Sequence, residues 1–589
     1  MKYLLIALTC YAIPLQVSAS YDLPIDRTIP WLAGSDQWNG GTLPTYTPVK
    51  CSGLTEGNGI SNNGPAIQTC INNAAANSAV TIPAGIYYVN SNITLKSNVV
   101  LRGAKSSGAP YLPAPDAFAT TFKFGSNGAI TIGTTESIGS AVALSSGYTK
   151  GSQTLVTSSN PGLTVNDWIA VTENGDPSIP TTITGDDGNC TWCGGPYGNG
   201  QGTELIEQFV QVTSISGNTI GISRPLYWTY LANQSPAIKT MRFSIQKAGL
   251  ENIRLDGSYA DHPAFITMEG ALFSWVKGVE TYNAGSAGKA AHVKIQYSHA
   301  VEVRDSYFHF GRNSSSDRNY GFALFFWNSD HKFENNILRN HRHSFSFEGG
   351  GEGIAALYNY VDDNYTDDSS YLGSARFNHG AHPMMNLFEG NSISHIAADN
   401  FWGSSSHFTL FRNHFWGDET PMTTAVDGTS VKPTWGFTPV EIWKNQNYYS
   451  LVGNVLGVSG MWLNPNWSSY LVRNTNCSQG YSGPYMVSFG CNSNDNAYDP
   501  KPSSSSINHG NFDLKTNGVA YWEGGSDHAL RASIYYASKP SFFAGFNWPA
   551  YGYDLSPIIG TLPAISRFLG KFPAPNIQPP YLISPRLQP

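Results

Sequence analysis

The chain has 589 residues, with 34 Lys plus Arg against 41 Asp plus Glu, 41% hydrophobic and 13% charged residues, 60 Gly and 35 Pro. Globular domains usually carry about 25% charged residues, so this composition excludes charged coiled coils and disordered acidic or basic tails. The formal balance of −7 offers no electrostatic footprint for a nucleic acid, and the length suits one elongated repeat body with an insertion as well as several domains.

The opening MKYLLIALTCYAIPLQVSAS sets Lys2 before an apolar stretch from Tyr3 to Ile13 and ends on Val17, Ser18 and Ala19. It reads as a signal peptide, 1–19. No later apolar run is long enough to span a bilayer, so the expected product is secreted, extracellular or periplasmic. The cysteines beyond Cys10 fall in three local couples: Cys51 with Cys70, Cys190 with Cys193, Cys477 with Cys491. An oxidising compartment favours disulfides within each couple, although six cysteines allow 15 pairings. Cys190 and Cys193 could instead form half of a zinc site, but no second CxxC completes it.

In the segment 20–134, Ala66, Ile67, Cys70, Ile71 and Ala74 follow helical spacing, an apolar stripe suited to covering the end of a stack. Short strands and turns follow it. Over 135–241 the pattern changes to SQTLVTSS, DWIAVTEN, FVQVTSISG and TIGISRPL, read as an inserted antiparallel β subdomain with a Gly-rich loop.

From about residue 245 a phrase recurs in which a small polar residue is flanked by apolar ones. It centres on Asn252, Thr281, Asp305, Asn335, Asn359, Asn391, Asn413 and Asn454, at steps of 29, 24, 30, 24, 32, 22 and 41 residues. That is a solenoid period. The intervening runs, HVKIQYSHAVEV, FALFFW, FSFEG and HFTLFRNHF, are β-branched or aromatic, which favours β coils over helical ones. The LxxLxL frame of leucine-rich repeats is absent. One polar residue per coil is expected in a left-handed or bridging conformation, its amide bonded to its counterpart one coil along. Central coils are placed at 242–470 and loop-rich C-terminal coils with a cap at 471–589.

The run GNGISNNGPAIQTCINNAAANSAVTIPAGIYYVNSNITLKSNVVLRG, from Gly57, resembles the start of the pectate-lyase-like right-handed parallel β-helix superfamily. The resemblance covers 50–105 and 245–460. It implies an all-β fold, a right-handed parallel β-helix solenoid with an N-terminal capping helix. It implies no single activity, because that superfamily holds lyases, hydrolases, epimerases, tailspikes and adhesins. Of the NTD, DD, GHG and RIK set of polygalacturonases, a DD and an HGAH are present and RIK is missing.

Of 14 histidines, seven fall between His341 and His414, and on a solenoid residues of successive coils line up on one face. A lyase acting on a uronic-acid polymer needs a group to neutralise the carboxylate and a base for the neighbouring proton. Arg376 suits the first task, and His379 or His382 the second, since imidazole titrates near working pH. A glycoside hydrolase needs paired carboxylates; Asp362 with Asp363, and Glu348 across the coil boundary, are candidates. His341, His343 and His407 border this band, and Trp402 and Trp416 are candidate sugar platforms. Asp362, Asp363, Asp367 and Asp368 are also candidate oxygen ligands for Ca2+. Any one histidine is equally readable as a stacked, hydrogen-bonded structural residue. The expected partner is a polysaccharide, with elimination placed ahead of hydrolysis and a non-catalytic surface, matrix or adhesion protein as the alternative. No GxSxG, HExxH, phosphate loop or dinucleotide fingerprint occurs.

Overall fold

The computed structural model of the chain describes residues 21–57, 59–104, 119–134, 137–174, 204–258, 264–285, 290–312, 318–364, 366, 373–417, 438–458, 471–474, 477, 485–491, 498–520 and 528–569. The expected signal peptide, Cys190, Cys193, Asp367 and Asp368 lie outside these residues.

Three long sheets make the body. Among the described residues, sheet I has 12 strands, from Thr47–Lys50 to Ile507–His509; sheet II has 12, from Gly85–Val89 to Gly518–Ala520; sheet III has 13, from Asn92–Thr94 to Leu471–Asn474. The chain visits them in turn: Glu302–Arg304 lies in sheet I, Tyr307–Gly311 in II, Tyr320–Ser329 in III, and Lys332–Glu334 returns to I. Equivalent residues stack in register, as in the sheet I column Ala356, Phe388, Leu410, Leu451. This is a parallel β-helix. Its strands are short and turn-bounded because each coil buries only its inward residues, so stability comes from neighbouring coils. Inside, rings from successive coils meet, with centroids 5.2 Å apart for Phe322 and Phe345 and 5.3 Å for Phe408 and Tyr449.

The turn from sheet I to sheet II carries the polar ladder. Asn336, Asn359, Asn391, Asn413, Asn454 and Asn511 are all buried. Each of the first five donates its side-chain amide to the Oδ1 of the next at 2.9–3.0 Å, and its backbone N–H to the same oxygen at 2.9–3.0 Å. The expectation that the ladder residue is itself left-handed is corrected. The positive φ belongs to the residue before it: Asn335 (54°), Tyr358 (56°), Gly390 (69°), Arg412 (50°) and Gly453 (67°). The ladder residue in the fourth copy of the repeat is therefore Asn336, not Asn335. In the coil before it, Ser306 takes the place, receiving Val279 N–H at 3.1 Å and donating its own N–H to Asn336 at 3.1 Å.

Helix Gly64–Asn73 buries Ile67 and Ile71, one turn apart. Its Gln68 exchanges two bonds with the backbone of Thr94, donating to the carbonyl at 3.0 Å and accepting the N–H at 2.8 Å. A disulfide joins Cys70 to Cys51, and another joins Cys477 to Cys491.

The solenoid bypasses the stretch 137–242: Val99–Gly103 pairs directly with Gly249–Glu251, and Ala129–Ile132 with Ala264–Glu269. The bypassed strands form a seven-stranded antiparallel sheet in which Trp168–Asn174 pairs on one side with Glu204–Ser216 and on the other with Ala237–Arg242. That second pairing closes the sheet on itself.

Described residues before the first coil and after the last lie over the outer side of sheet I. Lys332 bonds Asp36 at 2.6 Å, Arg412 bonds Asp554 at 2.7 Å, and Glu389 accepts the N–H groups of Ile534 and Tyr535 at 2.9 and 3.1 Å. Among the described residues, no helix is long and apolar enough to cross a membrane.

Candidate functional site

Alternation along the sheet III strands sorts the candidate residues. Phe345 and Phe347 enter the core, as do Ala375 and Phe377, so Ser346, Glu348 and Arg376 face outward. Ser346 pairs with Arg376 across the strands, but Glu348 pairs with Gly380. Strand Ser374–Gly380 therefore carries two extra residues at this point. Such irregularities re-aim side chains, and here the displaced residue is His379.

The outward residues form one charged cluster. Arg376 donates from Nε to Ser346 at 3.0 Å, and from Nη2 to Ser346 at 2.7 Å, to Tyr320 at 3.3 Å and to Glu348. Its guanidinium also lies 5.4 Å from the centre of the Tyr320 ring. None of these bonds uses Nη1. Burial of Arg376 works most strongly against its charge, but Glu348, Tyr320 and Asp399 together outweigh it and raise its pKa. Burial likewise tends to protonate Glu348, yet Arg376, helped by His379 and Ser346, holds its carboxyl below the usual range. The two are therefore a fixed ion pair.

His379 Nδ1 lies 3.0 Å from Asp399 Oδ2, and the other Asp399 oxygen accepts the Phe401 N–H at 3.1 Å. A neutral imidazole that donates from Nδ1 carries its lone pair on Nε2. The rings of Phe401 and Trp402 lie 6.2 and 6.4 Å from His379. The ring of His343 lies 5.7 Å from that of Tyr320. Arg376, His379, Glu348, His343 and Trp402 thus share the outer face of sheet III, together with Asp399, Ser346 and Tyr320, which sequence reasoning did not select. The signal for Asp399 is its distance of 20 residues from His379, close to one coil of this solenoid.

The other candidates go elsewhere. Asp362 ends a strand of sheet II, and Asp362 and Asp363 both face Arg339, at 3.4 and 2.6 Å. Parallel pairing puts them on a different face from Arg376, so they do not make the expected carboxylate pair with Glu348, and a guanidinium already meets both acids where a calcium ion was considered. His382 lies only three residues past His379, but beyond the end of the strand. It is fully buried between Ser404 and Ser406, at 3.2 and 2.9 Å, and burial pushes its pKa down to about 3, so it is not a base open to substrate. His341 is an interior residue held by Asn319 and the Phe308 carbonyl, its pKa pushed down to about 3 by burial. His407 is buried against Tyr448 and Trp228, with ring centroids at 4.9 and 5.3 Å. Trp416 is buried beside Tyr360 and donates to Ser392 at 3.1 Å, so it is packing rather than a sugar platform. Among the described residues, no group of three or more His, Cys, Asp or Glu is arranged to hold a metal ion.

No family profile and no curated protein matches the chain. Solved structures similar to it include two phage tailspikes. One is gp54 of Acinetobacter baumannii bacteriophage AP22, in complex with A. baumannii capsular saccharide, at 13% identity and a TM-score of 0.44, covering 70% of this chain and 57% of that one. The other is gp49 of Pseudomonas phage LKA1, at 17% identity and 0.44, covering 73% and 70%. A polygalacturonase from Erwinia carotovora ssp. carotovora is similar at 10% identity and 0.29, covering 76% and 94%. The chain thus spans little over half of the AP22 tailspike. The β-helix assignment rests on the strand pairing described above.

Proposed function

We propose that the protein binds an acidic polysaccharide across the outer face of sheet III and cleaves it by elimination. The observation that carries this reading is the His379–Asp399 contact at 3.0 Å beside an Arg376 whose Nη1 lies outside its bonds to Glu348, Ser346 and Tyr320. Elimination beside a uronate carboxylate needs a cation on the carboxylate, a base for the adjacent carbon-bound proton, and departure of the glycosidic oxygen. Arg376 Nη1 supplies donors for the carboxylate, and guanidinium geometry suits that task. His379 Nε2 takes the proton, with Asp399 stabilising the imidazolium that forms, and as the C–O bond breaks the departing glycosidic oxygen takes up a proton from that imidazolium or from water. Trp402 offers an edge for a sugar ring.

Hydrolysis would require a carboxyl in this cluster to act as acid. Glu348 is poorly suited, because Arg376 favours its ionised form. The two disulfides support an oxidising compartment outside the cytoplasm.

The test is a panel of acidic and neutral polysaccharides incubated with the full chain and with His379→Ala. Ultraviolet absorbance from an unsaturated uronide, lost in the variant, is expected. New reducing ends without that absorbance would replace elimination by hydrolysis, and binding without either would leave a non-catalytic adhesin.

A further inference from the structure

The junction between the antiparallel sheet and the solenoid contains two carboxyls that nothing in the proposed reaction uses. Glu207 lies on strand Glu204–Ser216, and Glu352 in the turn from sheet III to sheet I, where it bridges Ser329 and Met384 of the neighbouring coils. Their exposures are 0% and 1%. Asn328 draws the two residues together, because its carbonyl accepts the Glu352 N–H at 3.0 Å while its own N–H turns to Glu207, and two carboxyls brought into one dry site bond only if one of them carries a proton. Glu207 Oε1 accepts the Asn328 N–H at 3.1 Å. The backbone N–H groups of Gly351 and Glu207 face the Glu207 and Glu352 carboxyls respectively.

Among the described residues, no compensating cation meets either carboxyl. Asp330 and Glu173 are further buried acids nearby, with Tyr227 and Tyr230 between them. Arg224 is the arginine of this group, and it is committed elsewhere: to the carbonyls of Leu32 and Pro30, at 2.6 and 2.9 Å, and to Asp330 at 3.8 Å. Burial therefore pushes both Glu207 and Glu352 well above the usual carboxyl range. Two ionised carboxylates in this position would repel each other without solvent to screen them.

What the pair holds is the chain leading out of the candidate site. Glu348 is joined to Glu352 by Gly349, Gly350 and Gly351, with φ of 121°, 82° and 124°. A Cβ on Gly350 would stand 2.8 Å from Glu207 Oε1, so this close approach requires glycine. Three such residues impose little conformation of their own. Their path is set by the anchors at either end, Glu348 against Arg376 and Glu352 against Glu207. The same inserted strand also accepts the His382 N–H on the Leu205 carbonyl at 3.1 Å, next to the strand that bears His379.

We propose that Glu207 and Glu352 share one proton and form a pH-dependent clamp, which ties the inserted sheet to the solenoid and fixes the glycine segment carrying Glu348 into the candidate site. Loss of the proton releases the clamp, so the site is held together at low pH and loosens progressively as pH rises. The sign follows from linkage: folding raises the affinity of the pair for a proton, so its contribution is complete below the unfolded carboxyl pKa of about 4.3 and is lost as pH rises through the folded value.

Two measurements on the full chain decide it. The first is the folding equilibrium constant against pH for the wild type, Glu352→Gln and Glu207→Gln, since glutamine keeps a hydrogen bond and cannot ionise. The wild type is expected to lose up to tenfold more per pH unit than either variant above pH 5, and parallel curves overturn the clamp. The second needs no variant. Hydrogen exchange of the wild type at pH 6 and pH 9, corrected for the intrinsic base-catalysed rate, should show 204–209 and 349–353 opening at the higher pH, and equal protection at both overturns it. If the proposed elimination holds, Glu352→Gln should also extend uronide release to higher pH. Absence of any cleavage by the wild type would sink that reading and leave both clamp measurements standing.

Discussion

Nδ1 of His379 stands 3.0 Å from Oδ2 of Asp399; His379 lies on strand Ser374–Gly380, and Asp399 directly follows the next strand of the same parallel sheet, which ends at Ala398. The stack itself delivers the carboxylate to the imidazole. The orientation of the histidine therefore depends on coil register as much as on its own strand.

The first prediction follows from that dependence. His379→Ala should lower kcat for uronide release by about 10²–10⁴, the usual worth of a positioned proton-transfer group. Asp399→Asn should lower kcat with little change in KM, because it disturbs the tautomer without removing the ring. Steady-state kinetics on the best substrate of the panel provides the check. Equal kcat in Asp399→Asn and the wild type would show that the pair is structural.

Glu348→Gln should destabilise the fold as well as the site. The side chains of Arg376 and Glu348 are 8% and 6% exposed, and removing one partner of a buried pair costs about 3–5 kcal/mol, since the other charge is left without compensation. Ser346→Ala, which removes a neutral partner, should cost about 1–3 kcal/mol. Chemical denaturation of the two variants tests the order, and a larger effect from Ser346→Ala would contradict it.

The ladder offers a contrast two coils apart. Asn391 donates to the Ala356 carbonyl at 2.9 Å and to Asn413 at 3.0 Å, while its Oδ1 accepts two bonds from Asn359 at 2.9 Å. Asn391→Ala leaves several of these buried groups unserved, at about 1–3 kcal/mol each. Asn335→Gly, at a left-handed position, relieves backbone strain and gives up a 2.8 Å bond to Asp305. Its Tm should shift much less than that of Asn391→Ala.

Acid should weaken the solenoid from within. Burial pushes the pKa of His341, His331 and His382 down to about 3 and that of His414 to about 4. Unfolded histidine titrates near 6.5, so the unfolded chain takes up protons first as pH falls. Stability is then complete above about 6.5 and declines on acidification until the folded values are reached. Denaturation midpoints measured between pH 7 and pH 4 should fall steadily, and a flat profile over that range would show that these rings are not buried in the native state.

Much of the architecture was legible because stacking repeats itself in sequence. A polar residue every 22 to 41 positions and short β-branched or aromatic runs are what coil-on-coil pairing demands, so a β solenoid could be read directly, and the resemblance of the run from Gly57 pointed to the parallel β-helix. The ladder was read one residue early at Asn335 because two asparagines are adjacent there, and a repeat spacing cannot say which of them takes the left-handed turn. Placing Arg376, Glu348 and His379 in one band was also within reach, because coil spacing gathers them on one face. Three-residue proximity was a poor guide for His382. The strand ends between it and His379, and the turn carries it inward. Asp362 and Asp363 were separated from the band by a change of sheet, which charge clustering does not reveal. Glu207 was invisible for a stronger reason: it lies 145 residues before Glu352, on a strand outside the repeat. Periodicity determined which coils stack, because pairing is local from coil to coil. Only the tertiary structure decided which acids meet a guanidinium and which meet each other, because that depends on where the inserted sheet folds back onto the solenoid.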